Sequence, residues 1–201
     1  MGKEEEMRKV KAECLTFCAQ HPLAQEGSQV VFGEGPIDAK IIMVGEAPGY
    51  NESMTGRPFC GAAGEVLNES LEKVGLKRED IYITNLLKLR PPENRNPQSE
   101  EIREFASFLD KQIEIIQPKI ICPLGNFASR YLLEKYGLGD QLVKEGKRLG
   151  ISRFHGQVFS APSLFQPIKI MPLYHPAVAT YNPLMKSTLE EDFMKLKKMI
   201  D

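Results

Sequence analysis

The chain has 201 residues, of which 42% are hydrophobic and 26% are charged, and its formal net charge is −1. This balance is typical of one globular domain, which we expect over residues 1–201, and it argues against a basic protein that coats DNA. The chain has no apolar run of about 18 residues, and its charged N-terminus, "MGKEEEMRKV", has no apolar signal-peptide centre. We therefore expect a soluble, cytoplasmic protein with no membrane partner.

Apolar runs alternate with turn signals in the order expected of alternating strands and helices. We predict helices at 4–20, 63–75, 98–118, 126–136 and 187–200, the last capped by Ser187 or Thr188. We predict strands at 39–45, 80–89 and 119–125, and a fourth, "IKIMPLY", as the second arm of a hairpin-like pair within 156–176. This order predicts the α/β class: a three-layer α/β/α sandwich with a central, mainly parallel four-stranded sheet.

Four cysteines are scattered along the chain, at positions 14, 18, 60 and 122. No pair of CxxC motifs is present, so their spacing does not support a zinc site. We expect free and mostly structural thiols, since cysteine in an intracellular protein is often simply buried.

Polar and glycine-rich segments follow the predicted strands. A long loop between Gly45 and Gly64 follows the first strand, the segment 85–97 lies around the end of the second, and His175 follows the fourth. Ligands of such sheets bind outside the carboxyl ends of the strands. We therefore expect these three segments to converge at one edge of the sheet.

The residues at this edge suit a planar, uncharged heterocycle. The Asn85 amide offers a paired donor and acceptor, which fits the O4 and N3–H edge of uracil. Phe59 offers a stacking face, and His175 offers a donor to negative charge that develops on a base oxygen. There is no GxxxxGK[ST] motif, which argues against nucleoside triphosphate hydrolysis.

Four stretches resemble the ordered motifs of the uracil-DNA glycosylase superfamily, and of its family 4 in particular. They are "VGEAPGYNESMTGRPFCGAAG", "YITNLLKLRPPENRNP", "PKIICPLG" and "YHPAVATYNP". The resemblance covers roughly residues 18–196 and implies hydrolysis of the N-glycosidic bond of uracil that has been flipped out of DNA. It implies that Phe59 stacks on the uracil, that Asn85 reads O4 and N3, and that His175 stabilises the departing anion through O2.

The resemblance also implies that Gly45, Glu46 and Ala47 form the pocket wall and the water site. The classical enzymes of the superfamily carry an aspartate where this chain has Ala47, so another group must orient the water. Glu46 and Glu52 are the nearby carboxylates, and we favour Glu52 slightly over positioning by the backbone alone.

The stretch "HPAVATYNP" resembles the loop that enters the duplex where the base has left, with Val178 or Tyr181 as the wedge. Basic side chains near the site are expected to contact phosphates without reading sequence; they are Lys88, Arg90, Arg95 and Lys186. The expected partners are double- and single-stranded DNA that contains uracil, with free uracil as product, and we expect a monomer.

One departure from the family concerns its cofactor. Family 4 commonly holds a [4Fe–4S] cluster on four cysteines. Of these positions only Cys18 keeps its cysteine, because the others are occupied here by His21, Leu89 and Phe105. Leu89 and Phe105 cannot coordinate iron and can pack as an apolar plug. We therefore predict no cluster, no other cofactor and no metal.

Other interpretations remain open. Asn85 also suits a turn at a strand end, Phe59 suits the core, His175 suits a loop, and Glu52 suits a loop cap. One alternative is a glycosylase that acts on hypoxanthine or mismatched thymine, although Asn85 and the flat ring of Phe59 favour uracil. A non-catalytic DNA-binding relative is the other alternative, since Ala47 replaces the aspartate.

Overall fold

The computed structural model describes residues 2–144, 147–148, 150–162 and 167–200. The helices are α1 (Lys3–Ala19), α2 (Tyr50–Thr55), α3 (Ala62–Lys73), α4 (Ser99–Ile116), α5 (Asn126–Lys135), α6 (Val178–Tyr181) and α7 (Met185–Lys198). The strands are β1 (Ile41–Gly45), β2 (Tyr82–Asn85), β3 (Ile120–Pro123), β4 (Val143–Lys144), β5 (Lys147–Arg148), β6 (Phe159–Ala161) and β7 (Ile168–Ile170). All five predicted helices are confirmed, each end within two residues of the prediction.

The main sheet has the strand order β2-β1-β3-β7-β6. Its first four strands are parallel, whereas β6 runs antiparallel to β7. The predicted mainly parallel sheet is therefore confirmed, but it has five strands and not four. The fifth is the first arm of the predicted hairpin, and the connection at 163–166 lies outside the described residues. A separate two-stranded sheet pairs β4 with β5.

The three layers follow from the alternation of side chains along β1, a strand in which all five residues are buried. Ile42 and Val44 belong to a hydrophobic cluster that includes residues of α1, α4 and α5. Ile41 and Met43 belong to a second cluster that includes residues of α3 and α7. A strand with helices on both faces needs an uninterrupted apolar sequence, and "IIMV" provides it.

β2 is shorter than predicted. It ends at Asn85, because the next two backbone amides bond around the end of β1. The Leu86 N–H donates to the Gly45 carbonyl at 2.9 Å, and the Leu87 N–H donates to the Glu46 carbonyl at 3.0 Å. The chain thus bends around the end of β1 instead of continuing the sheet, and this bend brings the segment after Asn85 next to the long loop.

The predicted cap of the last helix is wrong. α7 begins two residues before Ser187, so Ser187 and Thr188 lie inside its first turn. The Ser187 hydroxyl donates to the Leu184 carbonyl at 3.1 Å, a bond within the helix and not a cap of its amides.

The positions of the family's cluster ligands lie in the core between α1 and α4. Cys18, Leu89 and Phe105 are buried in the same hydrophobic cluster. The His21 ring packs on Phe105, with 4.8 Å between ring centroids. The predicted packing of Leu89 and Phe105 in one apolar cluster is thus confirmed.

The four cysteines are free thiols, as predicted, and only Cys60 is exposed. In the part of the chain that the structure describes, no helix has the length and apolar character needed to cross a bilayer.

Candidate active site

A cavity of about 640 Å³ opens beyond the carboxyl ends of β1 and β2. This volume is in the range of small-molecule sites, roughly 300–1,000 Å³. Eight predicted site residues line it together: Glu46, Ala47, Glu52, Phe59, Asn85, Arg95, His175 and Tyr181. The expected convergence of the segments after three strands is therefore confirmed.

Gly45 lies beneath the cavity and is paired in register with Asn85 across β1 and β2. A Cβ atom on Gly45 would lie 2.2 Å from Asn85 Oδ1 and 2.7 Å from two ring carbons of Phe59. Because real Cβ contacts are never this short, the amide and the ring can approach each other only over a glycine. The last residue of β1 thus sets the floor of the site.

Asn85 is almost fully buried, with 2% of its surface exposed. Within the described part of the chain, the Asn85 side-chain amide has no hydrogen-bond partner. The Asn85 backbone carbonyl does have one, the Lys88 ammonium group. Asn85 lines the cavity, so a ligand bound there can satisfy both the donor and the acceptor of this amide.

Phe59 adopts the left-handed backbone conformation, with φ of 48°. This conformation costs a non-glycine residue about 1–2 kcal/mol. The Phe59 ring lies 5.5 Å from the His175 ring, centroid to centroid, with 31° between their planes. Gly64, in the first turn of α3, is required here because a Cβ there would lie 1.9 Å from the Phe59 carbonyl oxygen.

His175 is held as a neutral donor. Its Nδ1 accepts a hydrogen bond from the Ala177 N–H at 3.2 Å, which leaves the ring proton on Nε2. Burial lowers the pKa of His175 to about 4, against a smaller opposite effect of the Glu52 charge. The imidazole is therefore neutral at pH 7, with Nε2–H available to a ligand in the cavity.

The two candidate carboxylates differ in their contacts. Glu52 Oε1 accepts the N–H groups of Cys60 at 2.9 Å and Gly61 at 3.0 Å, at the start of α3. Glu52 thus closes the long loop, which was one of its two expected roles. The Glu46 carboxylate has no hydrogen-bond partner within the described residues, and burial raises its pKa.

The candidate wedge residues lie on and beside α6. Tyr181 lines the cavity and is 75% exposed, whereas Val178 is half-buried against the core. Leu184, which the sequence interpretation missed, is 83% exposed just before α7. Of the two predicted candidates, Tyr181 therefore has the more accessible side chain, and Tyr181 is also the one that lines the cavity.

Three of the four predicted phosphate-contacting cations lie at the surface, where each has a partner within the chain. The Arg90 guanidinium also lies 5.3 Å from the centroid of the Tyr50 ring. The hydrogen-bonded pairs are Arg90 Nε with Asn94 Oδ1 at 2.7 Å, Arg95 Nη1 with Glu101 Oε2 at 2.9 Å and Lys186 Nζ with Glu69 Oε2 at 2.6 Å. These pairs are partly or fully exposed, so solvent screens them.

The predicted phosphate contact of Lys88 is wrong, because its side chain is fully buried. Its ammonium group donates to Thr84 Oγ1 at 2.7 Å, to the Asn85 carbonyl at 2.8 Å and to Gln112 Oε1 at 2.7 Å. Burial lowers the Lys88 pKa to about 7, although nearby thiols oppose this. Lys88 therefore supports the residue at the end of β2 from inside the protein.

The sequence interpretation also missed part of the cavity wall. Pro91, Asn94 and Asn96 line it from the loop after β2, and Ala63 and Ala177 line it from α3 and the segment after His175. The asparagines of "PPENRNP" were a usable signal, because asparagine favours turns. In the structure, Asn94 adopts a turn conformation with a φ of 55°.

Comparison with known proteins shows the family of the chain. A family model described as the uracil DNA glycosylase superfamily matches residues 32–197. The chain therefore belongs to the uracil-DNA glycosylase superfamily, as its motifs suggested.

Within the superfamily, the chain is similar to proteins named type-4 uracil-DNA glycosylase. The one from Sulfurisphaera tokodaii is 40% identical over 194 residues, which cover 96% of this chain and 84% of that protein. The one from Archaeoglobus fulgidus is 38% identical over 185 residues, 92% of this chain and 89% of that protein. The one from Thermotoga maritima is 36% identical over 202 residues, 100% of this chain and 98% of that protein.

The buried Lys88 predicts a particular pH dependence of stability. The unfolded chain holds the Lys88 proton up to the ordinary pKa of 10.5, whereas the folded chain loses it near pH 7. The unfolded state therefore binds more protons between these values, so the Lys88 contribution to the free energy of unfolding rises with pH, by at most about 1.4 kcal/mol per pH unit.

Urea denaturation of the wild type and of Lys88→Met at pH 7.0 and pH 9.5 measures this contribution. The wild type should gain stability relative to the variant as the pH rises. Lys111→Met is the control, because it removes a lysine whose side chain is 45% exposed. A difference between wild type and Lys88→Met that does not change with pH would contradict the prediction.

Proposed function

We propose that the Asn85, Phe59 and His175 side chains divide the work of releasing uracil from DNA in this member of the superfamily. The enzyme is a uracil-DNA glycosylase of base-excision repair: it hydrolyses the N-glycosidic bond of a flipped-out uracil and leaves an abasic site. The observation that carries the proposal is that an unpartnered amide, an aromatic ring and a neutral histidine line one cavity, the amide and the ring directly over Gly45.

In the proposed recognition step, the Asn85 amide bonds to the uracil edge and Phe59 stacks on its ring. The amide donor pairs with O4 and its oxygen accepts from N3–H, which satisfies both groups at once. Cytosine presents the opposite pattern, a donor at position 4 and an acceptor at N3, and would leave the buried amide mismatched. The absence of other partners for the Asn85 amide in the described residues supports this assignment.

In the proposed bond-breaking step, uracil departs as an anion with charge on O2. The His175 Nε2–H donates to O2, and its depressed pKa suits this role because a neutral imidazole retains its proton while it stabilises the anion. One preorganised donor of this kind lowers a reaction barrier by about 2.7–4 kcal/mol.

We assign the water-orienting role to Glu46, which reverses our sequence-based preference for Glu52. Glu52 already accepts two backbone amides through Oε1, whereas the Glu46 carboxylate is unpartnered within the described residues and lines the same cavity. Burial raises the pKa of Glu46, which makes it a stronger base than an exposed carboxylate. The water then loses a proton to Glu46, and its oxygen bonds to the sugar carbon from which uracil has departed.

For DNA engagement, we propose Tyr181 as the side chain that fills the space left by the flipped base. Its exposure at the cavity rim supports this choice over the half-buried Val178. Arg90, Arg95 and Lys186 would exchange their partly exposed internal partners for DNA phosphates, which position the protein without reading sequence.

We also propose that the chain works without the iron–sulfur cluster that its family resemblance implies. The residues present do not fit that group, because Leu89 and Phe105 have no ligating atom. His21 is also engaged, since Nδ1 accepts the Leu23 N–H at 3.0 Å and Nε2 bonds to Glu104 at 2.9 Å. Aromatic and aliphatic packing between α1 and α4 takes the place of the cluster in this proposal.

An oligonucleotide assay tests the function and the role of His175. Alkali cleaves DNA at abasic sites, so a strand with one uracil should be cut after incubation with the wild type, and strands with thymine or hypoxanthine should not. His175→Asn should lower the rate by about 10²–10³-fold, because the shorter asparagine side chain has no donor at the position of Nε2. No cleavage of the uracil strand by the wild type would overturn the enzyme assignment, and full activity of His175→Asn would overturn the role of His175.

Two conservative substitutions distinguish the roles of Glu46 and Glu52. Glu46→Gln should reduce the single-turnover rate by about 10²-fold, because an amide cannot accept the proton of the attacking water. Glu52→Gln should stay within about tenfold of the wild type, since its amide oxygen can still accept the two backbone N–H groups. The reverse order of effects would return the water-orienting role to Glu52.

Iron content tests the proposed absence of a cluster. Protein purified without oxygen should be colourless and should contain far less than one iron per chain. A brown protein with broad visible absorption and about four irons per chain would refute the proposal.

A further inference from the structure

Arg78 lies next to the turn that carries Phe59 but does not line the cavity. Its Nη2 donates to the Pro58 carbonyl at 2.6 Å and its Nη1 to the Phe59 carbonyl at 3.2 Å. Nη1 also donates to Asn68 Oδ1, on α3, at 3.0 Å. One guanidinium thus holds two consecutive carbonyl groups of the turn and ties them to the following helix.

The turn needs such support because Phe59 has a φ of 48° and phenylalanine has no local preference for that conformation. Asparagine and aspartate tolerate it more readily than an aromatic residue does. Strained conformations of this kind persist only when surrounding contacts hold them. The close packing of Gly64 on the Phe59 carbonyl and the two bonds from Arg78 are the contacts that do so.

Arg78 is itself held by Glu34. Its Nε and Nη2 donate to Glu34 Oε1 at 3.1 Å and 2.7 Å. The Glu34 backbone forms a two-way bridge with Ile83 of β2, with N–H to O distances of 2.9 Å and 2.8 Å. Burial alone would raise the Glu34 pKa, but Arg57 and Arg78 outweigh it and hold the pKa below its ordinary value, so the carboxylate is charged at neutral pH.

These contacts form a continuous connection between the two halves of the base site. Ile83 lies on the strand that ends at Asn85, and the connection runs from Ile83 through Glu34 and Arg78 to the Phe59 carbonyl. It therefore relates the residue proposed to read the base edge to the residue proposed to stack on the ring. Because stacking requires a defined ring position, small shifts of the turn would weaken binding.

We infer that Arg78 is a positioning residue, which fixes the strained Phe59 turn relative to β2 and thereby sets the stacking surface for uracil. The inference rests on the stacking role proposed above for Phe59. It assigns a function to a residue that is 19 positions from Phe59 and 44 positions from Glu34 in the sequence.

Arg57 is a matched control for Arg78. It also pairs with Glu34, through Nε at 3.0 Å and Nη2 at 3.4 Å, and it adjoins the same turn in sequence. Its side chain is 64% exposed, and its guanidinium bonds to no carbonyl of the turn. Loss of Arg57 therefore removes one positively charged partner of Glu34, while the Phe59 carbonyl keeps its hydrogen bond from Arg78.

The experiment compares Arg78→Gln, Arg78→Lys and Arg57→Gln, each with and without Phe59→Ala. Inhibition by free uracil and the single-turnover rate on a uracil strand are measured for each. Arg78→Gln should weaken inhibition and slow excision by about ten- to a hundredfold, whereas Arg57→Gln should stay within about twofold. Arg78→Lys should be intermediate, since one ammonium group cannot hold both carbonyls and Glu34.

The double variants decide between positioning and general structural support. If Arg78 acts through the Phe59 ring, Arg78→Gln should have little further effect once Phe59 is alanine. An equal loss in both backgrounds, or equal activity of Arg78→Gln and Arg57→Gln, would overturn the inference. If Arg78→Gln fails to fold, the same cycle with Arg78→Lys gives the answer. An inactive wild type would instead contradict the proposed function.

Discussion

The lack of a side chain at Gly45 is the constraint on which the rest of the site depends. Any Cβ atom there would overlap both the Asn85 amide and the Phe59 ring. Two groups from different segments can therefore share the space above the end of β1, and they do so only because parallel pairing places Gly45 opposite Asn85. The cavity is thus a product of sheet register first and of loop conformation second.

The surrounding structure holds this arrangement from several directions. Lys88 bonds to the Asn85 carbonyl from inside the core, Arg78 bonds to the Phe59 carbonyl, and the Ala177 N–H fixes the His175 ring. Each contact goes to the backbone or to the rear of a site residue, which leaves the groups that face the cavity available to a ligand. A preorganised site of this kind needs little rearrangement when the transition state forms.

Much of this site could be predicted because its signals are local. The apolar run of β1 and its final glycine mark a strand end, Asn85 is the last residue of β2, and His175 follows β7. What could not be predicted depends on tertiary contacts. Nothing near Lys88 in the sequence indicates burial of its charge, since lysine is almost always exposed. The three-residue β6 is too short for a periodic signal, and the partners of Arg78 are distant in sequence.

The measurement that tests the account most directly is a crystal structure of the protein with uracil bound. We expect the uracil ring to stack on Phe59, the Asn85 amide to bond to O4 and N3, and His175 Nε2 to lie about 2.9 Å from O2. Uracil bound outside the cavity, or bound inside it with the Asn85 amide directed away from the base, would contradict the account.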